Sequence, residues 1–263
     1  MFPPQRIVCL TEETVETLYL LGQQDRIVGV SGYCVRPPEA RRDKPRISSF
    51  LSADLPKILT LEPDLVLAFS DLQADIVAEL IRAGVAVHAF NQRSVAEILD
   101  MIRLLGAMVG CSATADLLAN RFEQGLAAAA RRAATLAVRP KVYFEEWDEP
   151  MISGIRWVSE LVELAGGIDV FAENRGGHAA RQRIVSPEQV IGAAPDIIIG
   201  SWCGKKMRPE RIANRAGFAA TPAVQRGQLF EIKSPLILQP GPAALGDGLA
   251  ALQRIISGWP QPG

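Results

Sequence analysis

Two stretches of the chain carry the same pattern of polar stop and apolar run. Residues 58–69 read ILTLEPDLVLAF and residues 190–201 read VIGAAPDIIIGS. In each, a short helix-end segment meets Pro-Asp and then a run of branched apolar residues. These are Leu65-Val66-Leu67 in the first copy and Ile197-Ile198-Ile199 in the second. Proline disfavours helix at the preceding residue, and an unbroken apolar run after such a stop reads as a strand buried on both faces. The pattern predicts two α/β units about half a chain apart. Two similar lobes enclose a cleft, and clefts bind ligands.

The flanking pattern extends both units. The first opens with an apolar strand at 6–10, a helix ending at Gly22, and a strand at 26–30. A Pro-, Arg- and Ser-rich segment, SGYCVRPPEARRDKPRISSFLS, reads as a loop that is exposed or lines a pocket. Ala53-Asp54-Leu55-Pro56 starts the helix that feeds the first Pro-Asp strand. A helix over 72–83 with Gly84 as its stop, a strand over 85–90 and a helix over 94–108 follow. The second unit predicts a strand over 141–147, a Pro/Gly loop and a helix over 157–165. Ser186-Pro187-Glu188-Gln189 is a helix start, with Ser as cap and Gln three residues later. The second Pro-Asp strand, a helix near 209–216, a strand over 228–232 and a helix over 242–258 complete it. Alternating β and α predicts mostly parallel sheets flanked by helices.

Between the units, residues 113–137 hold no proline and one glycine. Leu118, Phe122, Leu126 and Ala130 recur at spacing four. That is one apolar stripe on a helix of about 35–40 Å. The expected division is an N-terminal lobe (1–110), a stiff bridging helix (111–138) and a C-terminal lobe (139–263).

Bulk composition narrows the classes. With 48% apolar residues the chain can build a core, and a net charge of -1 gives no electrostatic case for nucleic acid. No apolar run approaches the roughly 18–20 residues of a membrane span. The start, MFPPQRIVCLTEE, lacks the basic and apolar regions of a secretion signal. The expectation is a cytoplasmic protein, or a periplasmic one whose leader has been removed. The irregularly spaced cysteines (Cys9, Cys34, Cys111, Cys203) form no Cys-x-x-Cys pair.

Four segments carry a resemblance: RIVCLTEETVETLYLLGQQDRIVGVSGYCVRPPEA, SSFLSADLPKILTLEPDLVLAF, WVSELVELAGGIDVFAE and VSPEQVIGAAPDIIIGS. Together they span nearly the whole chain. The sequence resembles the substrate-binding proteins of bacterial ABC importers with a single rigid inter-lobe helix. The likeness is to the cobalamin-binding branch, whose relatives bind iron–siderophores and haem. The resemblance implies non-catalytic binding of a corrinoid, with no intrinsic cofactor, in the cleft between the lobes, for uptake or for handling in the cytoplasm. Another metal chelate is the alternative. It also implies one exposed glutamate per lobe that docks on permease arginines. In the first lobe the matching position is Pro56, and near LQPGPAALGDG no counterpart is placed, so the permease stays an unassigned partner.

Ligands of doubly wound sheets lie at the carboxyl ends of the strands. The aromatic residues predicted there are Tyr33, Phe50, Phe69, Trp147, Trp157 and Trp202, joined by Glu145 and Cys203. Apolar and aromatic faces with a few polar anchors suit a flat macrocycle. In the resemblance, Tyr33 and Phe50 stand where the cobalamin binders place ring-contacting aromatics. The acidic run Glu145, Glu146, Asp148 and Glu149 suits a cationic ligand or a bare metal, or is a solvated loop. The basic run Lys205-Lys206-Met207-Arg208 suits an anionic chelate or phosphate, or is likewise a solvated loop. His178, in a glycine-flanked loop, is a candidate axial ligand to a chelated metal. Two other classes stay open. One is a cytoplasmic sensing or interaction module. The other is an enzyme with Cys203 as nucleophile and His178 as base. No nucleophile-elbow, phosphate-loop or zinc motif supports the enzyme.

Overall fold

The computed structural model describes residues 3–49 and 52–260. They fall into two compact units, Met1–Gln92 with Ala96–Arg121, and Arg93–Val95 with Phe122–Gly263.

The first unit is a doubly wound parallel sheet. Its elements run β1 (Ile7–Cys9), α1 (Glu12–Leu20), β2 (Ile27–Ser31), α2 (Pro38–Asp43), β3 (Arg46–Ser48) and α3 (Leu55–Thr60). β4 (Leu65–Phe69), α4 (Ala74–Arg82), β5 (Val87–Phe90) and α5 (Val95–Met108) follow. The strand order is β3-β2-β1-β4-β5, with every pairing parallel. β1 and β4 are buried along their whole length, as strands covered on both faces must be. Val8, Leu10, Ile58, Val66 and Leu80 form much of the core on one side. The segment read as a loop after β2 holds α2 and β3. Pro38 occupies the first turn of α2, where its missing N–H costs nothing. β3 is a three-residue edge strand, too short to show a period in sequence.

α6 (Ser112–Ala134) is the predicted long helix, 23 residues or about 35 Å. Its residues to Arg121 belong to the first unit and the rest to the second. Its buried positions are Ala115, Ala119, Leu126 and Ala129, so the inner stripe is narrower and smaller than spacing four suggests. Small residues suit a close crossing. A Cβ on Gly106 of α5 would stand 2.1 Å from the Cβ of Ala115, so only glycine fits there.

The second unit contains β6 (Lys141–Asp148), β7 (Met151–Ser153), α7 (Arg156–Leu164), β8 (Ile168–Asp169), α8 (Pro187–Ala193) and β9 (Ile197–Gly200). α9 (Pro209–Ala213), α10 (Pro222–Gln225), β10 (Leu229–Glu231), α11 (Ser234–Ile237) and α12 (Leu249–Ser257) complete it. The order is β10-β9-β6-β7, with β8 also on β6. β7 is antiparallel to β6 and turns the predicted Pro/Gly loop into a hairpin. The helix expected over 242–258 is α12 preceded by a π-helical turn at Ala244–Gly248. Tyr143, Phe171, Ile198, Trp202, Met207 and Phe218 dominate one side of the core.

The duplicated Pro-Asp segment is a duplicated structure. Asp54 and Ser186 cap α3 and α8, each accepting the amide three residues on. Glu62 and Ala194, the residues before the two prolines, share the left-handed conformation at φ 47° and 48°. Asp64 and Asp196 then bind the start of the central strand of their own sheet. Asp64 accepts the amides of Gln5 (2.7 Å) and Arg6 (2.9 Å), and Asp196 accepts that of Lys141 (2.9 Å). The motif recurs because one backbone device aligns each helix–strand joint with the middle of its sheet.

Candidate functional site

Each sheet has one point where the chain reverses its order of strand addition, and crevices open there. In the first unit the reversal falls between β1 and β4, in the second between β6 and β9. Thus β4 and β9, the two Pro-Asp strands, each form one wall of a switch point.

At the first switch point, Thr11, Glu12 and Glu13 follow β1 and Ser70-Asp71 follow β4. Ser70 is held at φ 62° and ψ 175°, a region that favours glycine, and its hydroxyl accepts the Leu72 amide. Glu12 and Glu13 are buried, and burial pushes both carboxyls up to about 7. Glu13 Oε1 accepts the Thr11 hydroxyl at 2.5 Å, while its Oε2 has no hydrogen-bond partner among the described residues. Glu12 accepts the amide of Val35 at 2.8 Å, and Glu16, one turn on, accepts Nε and Nη2 of Arg36 at 3.1 Å. Two glutamates of α1 therefore hold the loop that follows β2. That loop presents Tyr33, whose residue surface is 64% exposed. Burial pushes the Cys9 and Cys34 thiols up to about 12, which keeps them protonated and unreactive.

At the second switch point charge is internally matched. Glu145 is fully buried and accepts from Trp202 Nε1 (3.0 Å), the Tyr143 hydroxyl (3.1 Å) and both terminal nitrogens of Arg215 (2.5 and 3.0 Å). Burial and then the neighbouring Glu145 charge raise Tyr143 well above its usual range. Burial lowers the Arg215 pKa, but the hydrogen bond and charge of Glu145 outweigh that and raise it. Glu146 pairs with the buried Arg183 at 2.6 and 3.0 Å. Asp148 accepts from Lys205 and lies 3.3 Å from Arg211. The acidic run offered above to a cation or metal is, in these three members, occupied by the protein's own cations. These partners lie 37 to 70 residues away, beyond the reach of any local sequence pattern. A pocket of about 520 Å³ adjoins the site, lined by Asp148, Glu149, Met151, Val185, Arg211 and Arg215 among others.

The aromatic candidates divide. Tyr33 is exposed and Trp147 half-buried, with its indole N–H on the Glu149 carbonyl at 2.8 Å. Phe69 (6% exposed), Trp157 (3%) and Trp202 (2%) pack inside their own unit, and Trp157 donates to the Ile237 carbonyl. Phe50 lies outside the described residues. Cys203 and His178 are exposed. His88, in β5, stacks edge-on against Phe90 at 4.4 Å, and burial lowers its pKa.

Two α/β units, whose strand-end loops at the switch points carry paired charges and aromatic side chains, make up a doubly wound α/β protein of two similar halves. The chain belongs to the periplasmic binding protein family, whose model matches residues 7–236. It is 29% identical to a vitamin B12-binding protein of Vibrio cholerae over 93% of this chain and 86% of that one. It is 24% identical to an uncharacterized ABC transporter substrate-binding lipoprotein of Bacillus subtilis, over 96% of this chain and 80% of that protein. Among solved structures, the periplasmic heme-binding protein RhuT of Roseiflexus sp. RS-1 in apo form superposes with a TM-score of 0.81. That match has 26% identity and covers 96% and 99% of the two chains.

Membership corrects one expectation. The cytoplasmic location read from the N-terminal residues is overturned, because the family is one of periplasmic binding proteins and its relatives include a periplasmic protein and a substrate-binding lipoprotein, which points outside the cytoplasm. Among the described residues no helix is long and apolar enough to cross a membrane. The family is one of binding proteins, which leaves Cys203 and His178 without a catalytic context.

Proposed function

We propose that this chain is the ligand-capturing component of an ABC importer and that it binds a corrinoid or a closely related metal chelate outside the cytoplasm. The observation that carries this reading is the 29% identity to a vitamin B12-binding protein over 93% of the chain. The exposed Tyr33, held at a strand end by Glu12 and Glu16, supports it as an aromatic face for a macrocycle. Haem is the second reading, favoured by the likeness to RhuT. The division into lobes 1–110 and 139–263 around a helix at 111–138 belongs to the same proposal. A thermal-shift series with cobalamin, cobinamide, haem and ferric siderophores tests it. One of them raises the melting temperature in a concentration-dependent way, and no shift with any of them defeats the reading.

The permease partner has a candidate contact. The resemblance implies an exposed glutamate on each lobe, and the register of the repeat makes Glu188 the sequence equivalent of Pro56, each two residues after its cap, Ser186 and Asp54. Glu188 is exposed in the first turn of α8. Hydrogen bonds from Ser186 and then from its own amide lower its pKa, so it stays ionised. The counterpart sought near LQPGPAALGDG thus lies in Ser-Pro-Glu-Gln instead. Docking is then one-sided in charge, with Pro56 offering none. Glu188→Gln lowers ligand-dependent uptake and leaves ligand affinity unchanged. Unchanged uptake removes Glu188 from the contact.

A further inference from the structure

Trp202, one of the aromatic residues expected to face a flat ligand, is 2% exposed and its indole N–H donates to Glu145. Positive charge covers it. Lys205 Nζ stands 4.0 Å from the ring centroid of Trp147 and 5.3 Å from that of Trp202, and the guanidinium carbon of Arg211 stands 5.7 Å from Trp202. Ring faces hold cations without neutralising them.

One carboxylate serves both cations. Asp148 accepts from Lys205 through Oδ1, while its Oδ2, 3.3 Å from Arg211, makes no hydrogen bond. The Asp148 side chain is 2% exposed, against 35% for Lys205 and 52% for Arg211, so the acid is buried and the cations face outward. The Arg211 guanidinium makes no hydrogen bond to any described residue, so its fork of donors is open. Lys206 and Arg208, on the same segment, are exposed and have no ion pair among the described residues. The pocket beside Arg211 supplies room.

We infer that Lys205 and Arg211, stacked on Trp147 and Trp202, form a subsite for an anionic arm of the ligand, a carboxylate or phosphate at the edge of the chelate. The inference rests on the chelate-binding reading above. Arg211 offers a planar fork that matches such a group in two bonds, and Lys205 adds a compact charge beside it. Asp148 and the two indoles hold the cations before the ligand arrives, so little ordering is left to the binding step. The site sets specificity, by rewarding an anionic arm over its neutral counterpart.

Calorimetric titration of three pairs that differ in the arm alone tests this: cobyrinic acid and its methyl ester, cobinamide phosphate and cobinamide, haem and its dimethyl ester. In at least one pair that binds, the anionic member binds about tenfold tighter at low salt, and added salt narrows the gap. The pair that shows the gap says whether the arm is carboxylate or phosphate. Arg211→Met and Lys205→Met each bring the anionic member to within about threefold of the neutral one and leave the neutral member's affinity unchanged. Arg211→Met, the more exposed of the two positions, decides if Lys205→Met lowers the melting temperature. Equal binding of acid and ester by the wild type, or a gap that survives both substitutions, overturns the subsite while the chelate reading stands. If none of the six binds, the subsite falls, and the chelate reading falls with it only if cobalamin and ferric siderophores also leave the melting temperature unchanged.

Discussion

Asp64 accepts the backbone amide of Arg6 at 2.9 Å, and so ties the joint between α3 and β4 to the residue just before β1. Asp196 does the same for Lys141 and β6. An ionised acceptor on a backbone amide is among the stronger protein hydrogen bonds. Asp64→Ala and Asp196→Ala each lower stability by about 1–3 kcal/mol, and the asparagine variants, which keep an acceptor, lose less. Urea unfolding reads this directly. An unchanged midpoint for both alanine variants would show that the repeat is not a structural clamp.

Ala194 and Glu62 spend conformational energy to make the turn before each proline. A left-handed residue other than glycine costs roughly 1–2 kcal/mol, and glycine returns part of that through the freedom it gives the unfolded chain. Ala194→Gly is therefore expected to stabilise by up to about 1 kcal/mol, unlike glycine in most other places. A lower melting temperature for this variant contradicts the assignment of strain.

Glu13 makes stability depend on pH in an uncommon direction. Its carboxyl titrates near 7 in the folded chain, against 4.5 when exposed, because burial disfavours its charge. Between those values the folded chain keeps a proton that the unfolded chain has lost. This group's contribution to stability is fully present below pH 4.5, falls by on the order of 3 kcal/mol as pH rises from there through 7, and is gone above it. Glu12 acts in the same sense. Glu13→Gln keeps an acceptor for Thr11 and removes the charge. It is more stable than the parent at pH 8 and close to it at pH 5. Parallel pH profiles for the two proteins sink the idea.

Tyr33 separates binding from folding. Its ring is exposed, so Tyr33→Ala leaves the melting temperature within about 1 °C of the parent. If the ring stacks on the ligand, affinity drops by about tenfold. Equal affinity in the two proteins places the ligand elsewhere.

The fold was legible because its signals are local. The Pro-Asp runs, the stops at Gly22 and Gly84, and the Ser186 cap each announce an element within a few residues, and each glycine is at positive φ as a stop requires. The short edges were not legible: β3 and β7 have three residues each, too few for a period to register. The candidate site was legible as a set of strand-end positions. Its partners were not, since nothing near Glu145 foretells Arg215 and nothing near Asp148 foretells Lys205. Aromatic side chains were the least readable. Tyr33 and Trp202 follow strands in similar ways, yet one is exposed and the other enclosed by residues distant in sequence.

The matched charges of the second unit bear on how such a chain can be altered. Glu145 with Arg215 and Asp148 with Lys205 are held 57 to 70 residues apart, across the β6–β9 boundary. Transplanting residues 202–215 from a relative would strand buried carboxylates unless positions 145 and 148 travelled with them. The heritable unit of change at this site is a set of residue couples and not a loop, and recombination between relatives succeeds only where both halves of each couple come from the same parent.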